Sequence, residues 1–343
     1  MKIVHICPDE NPSSGVNTFC LRLDGELKKL GVDSRVLRSW SGGIDDAVDV
    51  VHCHGLWLTP FHRAAMWARK RSIPVVHSTH SMTAPWSMRH KWWKKLPAWW
   101  LYQKRDLRSA ALVHCTAEQE VAWNVKLGFK NCIVVPLGTD CRIEGLTDCR
   151  IGGLTDFRVL FVGRIYPVKG LMNLVRAIAI INQSIKQSVN LSIRLVGPDQ
   201  AGHRAELEAE CARLGVKNVQ FVGEKHGAEL DAEYEACDVL VLPSFTENFG
   251  GVVVDALSHG KPVIASKFTP WRELEEKGCG WWVENSPERL AEAIRTFAET
   301  PVEVRAEMGR RGRSLVESAY SWPSVARQMM ACYERVLKRG GRD

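Results

Sequence analysis

Short runs of aliphatic and β-branched residues recur along this chain, and most are followed by an amphipathic stretch of helical length. Lys2–Cys7 (KIVHIC), Ser34–Leu37, Val48–Cys53 (VDVVHC) and Pro74–Ser78 read as strands, with helices over Val16–Leu30 and Pro60–Lys70. The rhythm restarts with strands at Arg158–Val162 (RVLFV), Leu191–Val196 (LSIRLV), Val219–Val222, Val239–Pro243 (VLVLP) and Pro262–Ser266. Helices are expected over 170–183, 204–214, 228–236, 250–259, 287–300 and 302–317. Strands alternating with helices imply parallel sheets joined by right-handed crossovers. At 343 residues the chain exceeds the length at which one core stops growing. Two doubly wound α/β domains in series are therefore predicted, 1–156 and 157–320, with 321–343 as a C-terminal helix packing back on the first.

The joint carries a tandem repeat: Thr139–Leu146 reads TDCRIEGL, Thr147–Leu154 reads TDCRIGGL, and Thr155–Arg158 begins the unit again. Eight residues are too few for a supersecondary unit, so 139–156 reads as a duplicated surface linker without chemistry. Hydrophobic residues at 45% and charged residues at 25% suit a folded domain rather than a disordered chain. The opening MKIVHICPDE reaches an acidic pair too early for a signal-peptide core, and a cytoplasmic protein is expected. Eleven cysteines, an odd number with no C-x-x-C, read as reduced and mostly buried thiols.

The net charge of +7 is unevenly placed. Residues 1–150 hold 21 Lys+Arg against 14 Asp+Glu, whereas 151–343 hold 25 of each. No acidic residue occurs between Asp49 and Asp106, while ten basic ones do, and such a field attracts an anion.

The richest constellation follows the VLVLP strand. Glu247 and Asp255 stand eight residues apart across SFTENFGGVVVDALSHG, and Gly250 and Gly251 would let a ligand approach the amides at a helix N-terminus. Carboxylates suit sugar and ribose hydroxyls, since each oxygen accepts a hydrogen bond. Arg164 follows directly on RVLFV-Gly, and Lys169 opens the next helix. Two cations at the carboxyl edge of a parallel sheet can neutralise a diphosphate leaving group without a metal. In the N-terminal half, His80 lies just beyond the strand PVVHS. His52 and His54, at i and i+2 of a strand, share a face, but no third ligand is positioned by the sequence and no metal is expected.

The segments FVGRIYPVKG, LVGPD, CDVLVLPSFTENFGGVVVDALSHGKPVIAS and TPWRELEEKGCGWWV resemble family 4 of the retaining glycosyltransferases. The resemblance is closest to members that build lipopolysaccharide, O-antigen and exopolysaccharide chains. It implies the GT-B fold, in which two Rossmann-like domains face each other across a cleft, and a nucleotide diphosphate sugar donor with no cofactor. It further implies that Glu247 meets donor-sugar hydroxyls and that Asp255, where the family carries glutamate, holds the ribose. Arg164 and Lys169 fall on the diphosphate-binding pair, and Asn248, Phe249, Gly250 and Gly251 on the backbone that meets the donor. His80 falls on the active-site histidine. Gly15 is the remaining glycine of a loop that carries a glycine pair in the family, with Ser14 where the other would stand.

Residues 85–108 place Trp86, Trp92, Trp93, Trp99, Trp100 and Tyr102 among Arg89, Lys91, Lys94, Lys95, Lys104, Arg105 and Arg108. These are the ingredients of an interfacial helix on an anionic membrane, although packing into the core or stacking on single-stranded nucleic acid uses the same residues. The expected function is transfer of a sugar to a lipid-linked or lipopolysaccharide acceptor at the inner face of the cytoplasmic membrane, without nucleic acid as a partner. A catalytically idle sugar-nucleotide scaffold and a GT-B sugar-nucleotide epimerase are the alternatives.

Overall fold

The apolar runs assemble into two sheets. A computed structural model describes residues 1–11, 14–40, 42, 44, 47–140, 156–184 and 190–339, so the duplicated stretch lies largely outside the described residues. The first sheet holds β1 (Lys2–Ile6), β2 (Asp33–Leu37), β3 (Val50–His54), β4 (Val75–Ser78), β5 (Leu112–Cys115) and β6 (Cys132–Val134) in the order β2-β1-β3-β4-β5-β6. The second holds β7 (Asp156–Val162), β8 (Asn190–Val196), β9 (Val219–Gly223), β10 (Val239–Leu242), β11 (Val263–Ser266) and β12 (Gly280–Val283) in the order β12-β11-β10-β7-β8-β9. Every strand pairing within them is parallel. Strand order therefore reverses between β1 and β3 in one sheet and between β7 and β10 in the other. Such a switch point opens a crevice at the carboxyl ends of the strands.

The chain divides into Met1–Gly138 with Ala319–Asp343, and Thr139–Ser318. The first boundary falls ahead of the duplicated stretch rather than at 156, and the chain returns to the first unit at Ala319 rather than at 321.

In the first unit, successive residues of β1 feed opposite faces. Ile3 joins a core with Phe19, Leu23 and Leu27, whereas Val4 and Ile6 join one with Phe61, Ala64 and Trp67. The C-terminal helix Trp322–Arg339 completes the first of these cores through Trp322, Val325, Met329, Tyr333 and Val336. Those positions recur at helical spacing, and burying such a stripe contributes on the order of 10 kcal/mol before conformational entropy is subtracted. Its fit to the unit is close: a Cβ on Gly138 would stand 2.4 Å from the Trp322 ring, so only glycine is accommodated there. Nine described cysteines are free thiols, and all but the half-buried Cys132 are buried.

In the second unit, Phe157, Val159 and Phe161 on one face of β7, Leu160 on its other face, and Val239–Leu242 of β10 are buried, so both central strands are covered on both faces. Two glycines set the loops at the switch point. Gly170 has φ +69° and a Cβ there would overlap the Pro243 carbonyl at 1.9 Å, while Gly197 has φ +142° and a Cβ there would overlap the Gly163 carbonyl at 2.0 Å. The loops after β7, β8 and β10 are thereby packed backbone against backbone.

Candidate functional site

The loops after β7 and β10 converge. The turn Pro167–Lys169 ends at the left-handed Gly170, and a backbone bond of 2.8 Å from Phe245 N–H to the Val168 carbonyl ties the two loops together. Asn285 donates to the Pro243 carbonyl (2.5 Å) and Asn173 to the Asn285 carbonyl (3.0 Å), clamping the same junction from behind. On this frame Lys169 Nζ donates to Glu247 Oε1 at 2.5 Å, and the Ser244 hydroxyl donates to the same oxygen at 2.7 Å. Both charged side chains are mostly withdrawn from solvent, at 16% and 12% exposure, so screening is weak. The ammonium and the carboxylate that the sequence placed separately toward one ligand are thus direct neighbours. Arg164, five residues before Lys169 on the loop after β7, is exposed, and its guanidinium donates to Gln200 Oε1 at 2.9 Å.

The helix expected over 250–259 runs Gly251–Ser258, because Gly250 caps it in the left-handed region at φ +78°. Glu247 therefore lies in the loop ahead of the helix and only Asp255 lies on it, so the eight-residue interval is half loop, not two full helical turns. A Cβ on Gly250 would press on the Trp271 indole nitrogen at 3.2 Å and on Leu242 at 3.3 Å. That indole N–H donates to the Phe249 carbonyl at 2.5 Å, and the ring packs on Phe249, which holds the half-buried Asn248 and the loop in place. Above Gly251 no atom lies within 4 Å of where a Cβ would stand, so the glycine leaves the helix N-terminus approachable rather than filling a packing need. Asp255 accepts from the Thr139 hydroxyl at 3.2 Å. Burial pushes its carboxyl up to about 6, partly opposed by that hydrogen bond and by His259.

In the first unit, Gly15 opens the helix Gly15–Lys29 after the β1 loop, and again no atom lies within 4 Å of a Cβ there. Arg38 braces that loop by donating to the carbonyls of Cys7 (3.2 Å) and Asp9 (2.6 Å) and to Asn17 Oδ1 (2.8 Å). His80 follows β4 with φ +42°, and Ser81 with φ +59°. Its ring stacks on His54 at 5.8 Å and meets the edge of Phe19 at 5.5 Å, and its Nε2 is buried without a hydrogen-bond partner.

Parallel register sets His5 beside His52, which supplies the third histidine that the sequence left unplaced. Ring nitrogens of His5, His52 and His54 lie within 4.8 Å of one another. They are already engaged in a chain: His5 Nδ1 with His54 Nε2 (2.8 Å), His52 Nδ1 with the Tyr333 hydroxyl (2.7 Å), and His52 Nε2 with Ser78 (2.7 Å). Two nitrogens on one tetrahedral zinc would stand about 3.3 Å apart, so this arrangement suits a hydrogen-bond chain better than a metal cage. Burial pushes His5 and His77 down to about 4 and His80 to about 3, and holds His52 and His54 well below their ordinary value.

The basic aromatic segment folds as short helices, Pro85–Arg89, Trp92–Ala98 and Lys104–Ser109, with a π-turn at Trp99–Gln103. Trp99 turns inward against Leu107 and Phe129. Trp86, Trp92, Trp93, Trp100 and Leu101 are 57–78% exposed, which removes core packing as their role. Tyr102 is half-buried and donates to the Trp57 carbonyl at 2.6 Å. No helix among the described residues is long and apolar enough to cross a membrane.

Comparison with known proteins follows this division. A family model described as glycosyl transferases group 1 matches residues 153–315, and one described as a glycosyl transferase 4-like domain matches residues 8–138. A D-inositol 3-phosphate glycosyltransferase of Corynebacterium glutamicum is 34% identical over 192 residues, 52% of this chain and 43% of the relative, so the match spans less than half of that protein. A D-inositol 3-phosphate glycosyltransferase of Streptomyces avermitilis is 27% identical over 88% of this chain and 68% of its own length. The structure of Anabaena Alr3699/HepE in complex with UDP superposes with a TM-score of 0.74 over 98% of this chain and 100% of that one, at 20% identity, a likeness of fold. Each α/β unit has the architecture of a GT-B glycosyltransferase domain; the second matches the group 1 glycosyl transferases and the first the glycosyl transferase 4-like domain.

Proposed function

We propose that this protein transfers a sugar, with retention of configuration, from a nucleoside diphosphate donor to a lipid-linked saccharide in surface polysaccharide synthesis. The observation that carries the donor half is the convergence of Lys169 and Glu247 at the β7/β10 switch point, on the loops that also carry Arg164 and lead to the open helix start at Gly251. In this reading Lys169 and Arg164 take the diphosphate as its charge develops, and Glu247 exchanges its ammonium partner for sugar hydroxyls. Backbone at Asn248–Gly251 meets the donor, and Asp255 lies toward the ribose side. No metal is invoked, because the two cations supply the charge. The bond to the diphosphate breaks first, and the acceptor hydroxyl adds to the face just vacated while its proton passes to a phosphate oxygen. The first unit is read as the acceptor side, with Gly15 and His80 at the carboxyl edge of its sheet.

The reading is tested by thermal melting against UDP-, GDP-, ADP- and dTDP-hexoses, since a ligand of the native state raises its melting temperature. At least one donor should stabilise the protein and be turned over with a membrane extract. Stabilisation without turnover would favour an idle scaffold.

The exposed tryptophans and the lysines around them support the membrane half. Each basic residue near an anionic surface contributes about 1 kcal/mol. Combining Lys91→Glu, Lys94→Glu and Lys95→Glu should weaken co-sedimentation with phosphatidylglycerol vesicles at least 100-fold. Unchanged sedimentation would instead favour a soluble acceptor such as a cyclitol phosphate, the second reading, to which the names of the D-inositol 3-phosphate glycosyltransferases point.

A further inference from the structure

His80 and Ser81 both occupy the left-handed backbone region, with φ of 42° and 59°, and neither is glycine. Such a conformation is strained for a residue with a Cβ and persists only where neighbours over-determine it. One buried carboxylate does so. Glu120, on the helix Glu118–Lys126, is 1% exposed, and its Oε1 accepts from the Thr79 hydroxyl at 2.5 Å and from the Ser81 N–H. Its Oε2 accepts from Thr116 N–H at 2.7 Å and from the Thr116 hydroxyl at 3.1 Å. Asn124, one turn further along, donates to Thr79 Oγ1 at 3.3 Å. Four donors converge on the one carboxylate, which grips the chain on both sides of His80 from a position 40 residues away in sequence.

We propose that Glu120 is a positioning residue, which fixes the kink after β4 and with it the direction of the His80 imidazole. The proposal rests on the reading of His80 as a residue of the site. A structural carboxylate alone would be satisfied by Thr116 at its own helix end. Bridging to residues 79 and 81 serves the one residue between them. Only a carboxylate fits, because an amide would turn a donor toward either Thr116 N–H or Ser81 N–H. Among the described residues, the rings that face His80 are those of His54, His114 (6.4 Å between centroids) and Phe19, so its titratable ring contacts there are histidines.

The test uses full-length protein labelled with ¹³C in the histidine rings, with the His80 resonance assigned by its loss in His80→Gln. In the wild type that resonance should be sharp and unchanged from pH 8 to 5. In Glu120→Gln it should shift and begin to titrate above pH 5, while the His5 and His52 resonances stay in place. Transfer should fall at least 10-fold in kcat with KM for the donor little changed. Thr79→Val, which removes one of the four donors, should move the same resonance by a smaller amount and decides the matter if Glu120→Gln does not fold. A His80 resonance that stays in place in these variants, or a shift shared by all histidines, would overturn the positioning role. His80→Ala transferring at the wild-type rate would overturn the reading of the site beneath it.

Discussion

Lys169→Ala is expected to lower the rate of sugar transfer by about 10³-fold, and Glu247→Ala to a similar extent. The reason is where the pair sits. Both side chains come from loops at the strand-order reversal, and both are largely shielded from solvent, so each interaction they make with a developing charge is weakly screened. Lys169 alone of the two cations is held there, since Arg164 is exposed and turned to Gln200. Removing either partner also strands the other, which costs stability of about 1–3 kcal/mol for a partly buried pair. The double variant Lys169→Met with Glu247→Gln separates the two effects. It should regain the melting temperature lost in the single variants and remain inactive. Transfer near the wild-type rate in either single variant would contradict the assignment.

The second large effect is acid lability of the first unit. His5 and His77 are fully buried, and burial holds both near 4, against 6.5 for a solvated imidazole. A depressed histidine means that the unfolded chain binds more protons below pH 6.5. Stability contributed by the neutral ring is therefore complete above that value and is lost as pH falls toward 4. At pH 5 each of the two costs about 2 kcal/mol, and His52 and His54 shift in the same direction. Against a typical total of about 5–15 kcal/mol this is large, and the melting temperature should drop by roughly 10 °C between pH 7 and 5. His77 is the sharpest probe, because neither of its ring nitrogens has a hydrogen-bond partner. His77→Leu should raise stability at neutral pH and remove part of the acid dependence. A melting temperature flat from pH 7 to 5 would mean that these rings are solvated or already charged.

Much of the second unit was legible because its determinants are local. VLVLP is a continuous apolar run, RVLFV and LSIRLV are rich in aliphatic and β-branched residues as interior strands of a parallel sheet are, and the glycines at 163, 170 and 250 punctuate them. What the sequence could not show is whatever depends on register or on distant polar partners. His52 and His54 were readable as sharing a face, but His5 joins them only through the pairing of β1 with β3. Asn285 and Asn173, which clamp the loops after β7 and β10, are ordinary asparagines until the chain is folded. Glu120 looks like any acidic residue in the first turn of a helix, and its grip on residues 79 and 81 spans three elements. Trp271 belongs to a stretch quoted for its resemblance, yet its task of holding the Phe249 carbonyl emerges only in three dimensions. The helix actually begins at Gly251 because the left-handed Gly250 stops it from starting earlier, a boundary that apolar periodicity does not mark.

A crystal structure of the protein with the nucleoside diphosphate sugar that most raises its melting temperature would test the donor assignment most directly. The diphosphate should lie within hydrogen-bond distance of Lys169 Nζ, with the sugar hydroxyls on the Glu247 carboxylate and the Lys169–Glu247 contact opened between them. A nucleotide bound elsewhere, with that contact intact, would contradict it.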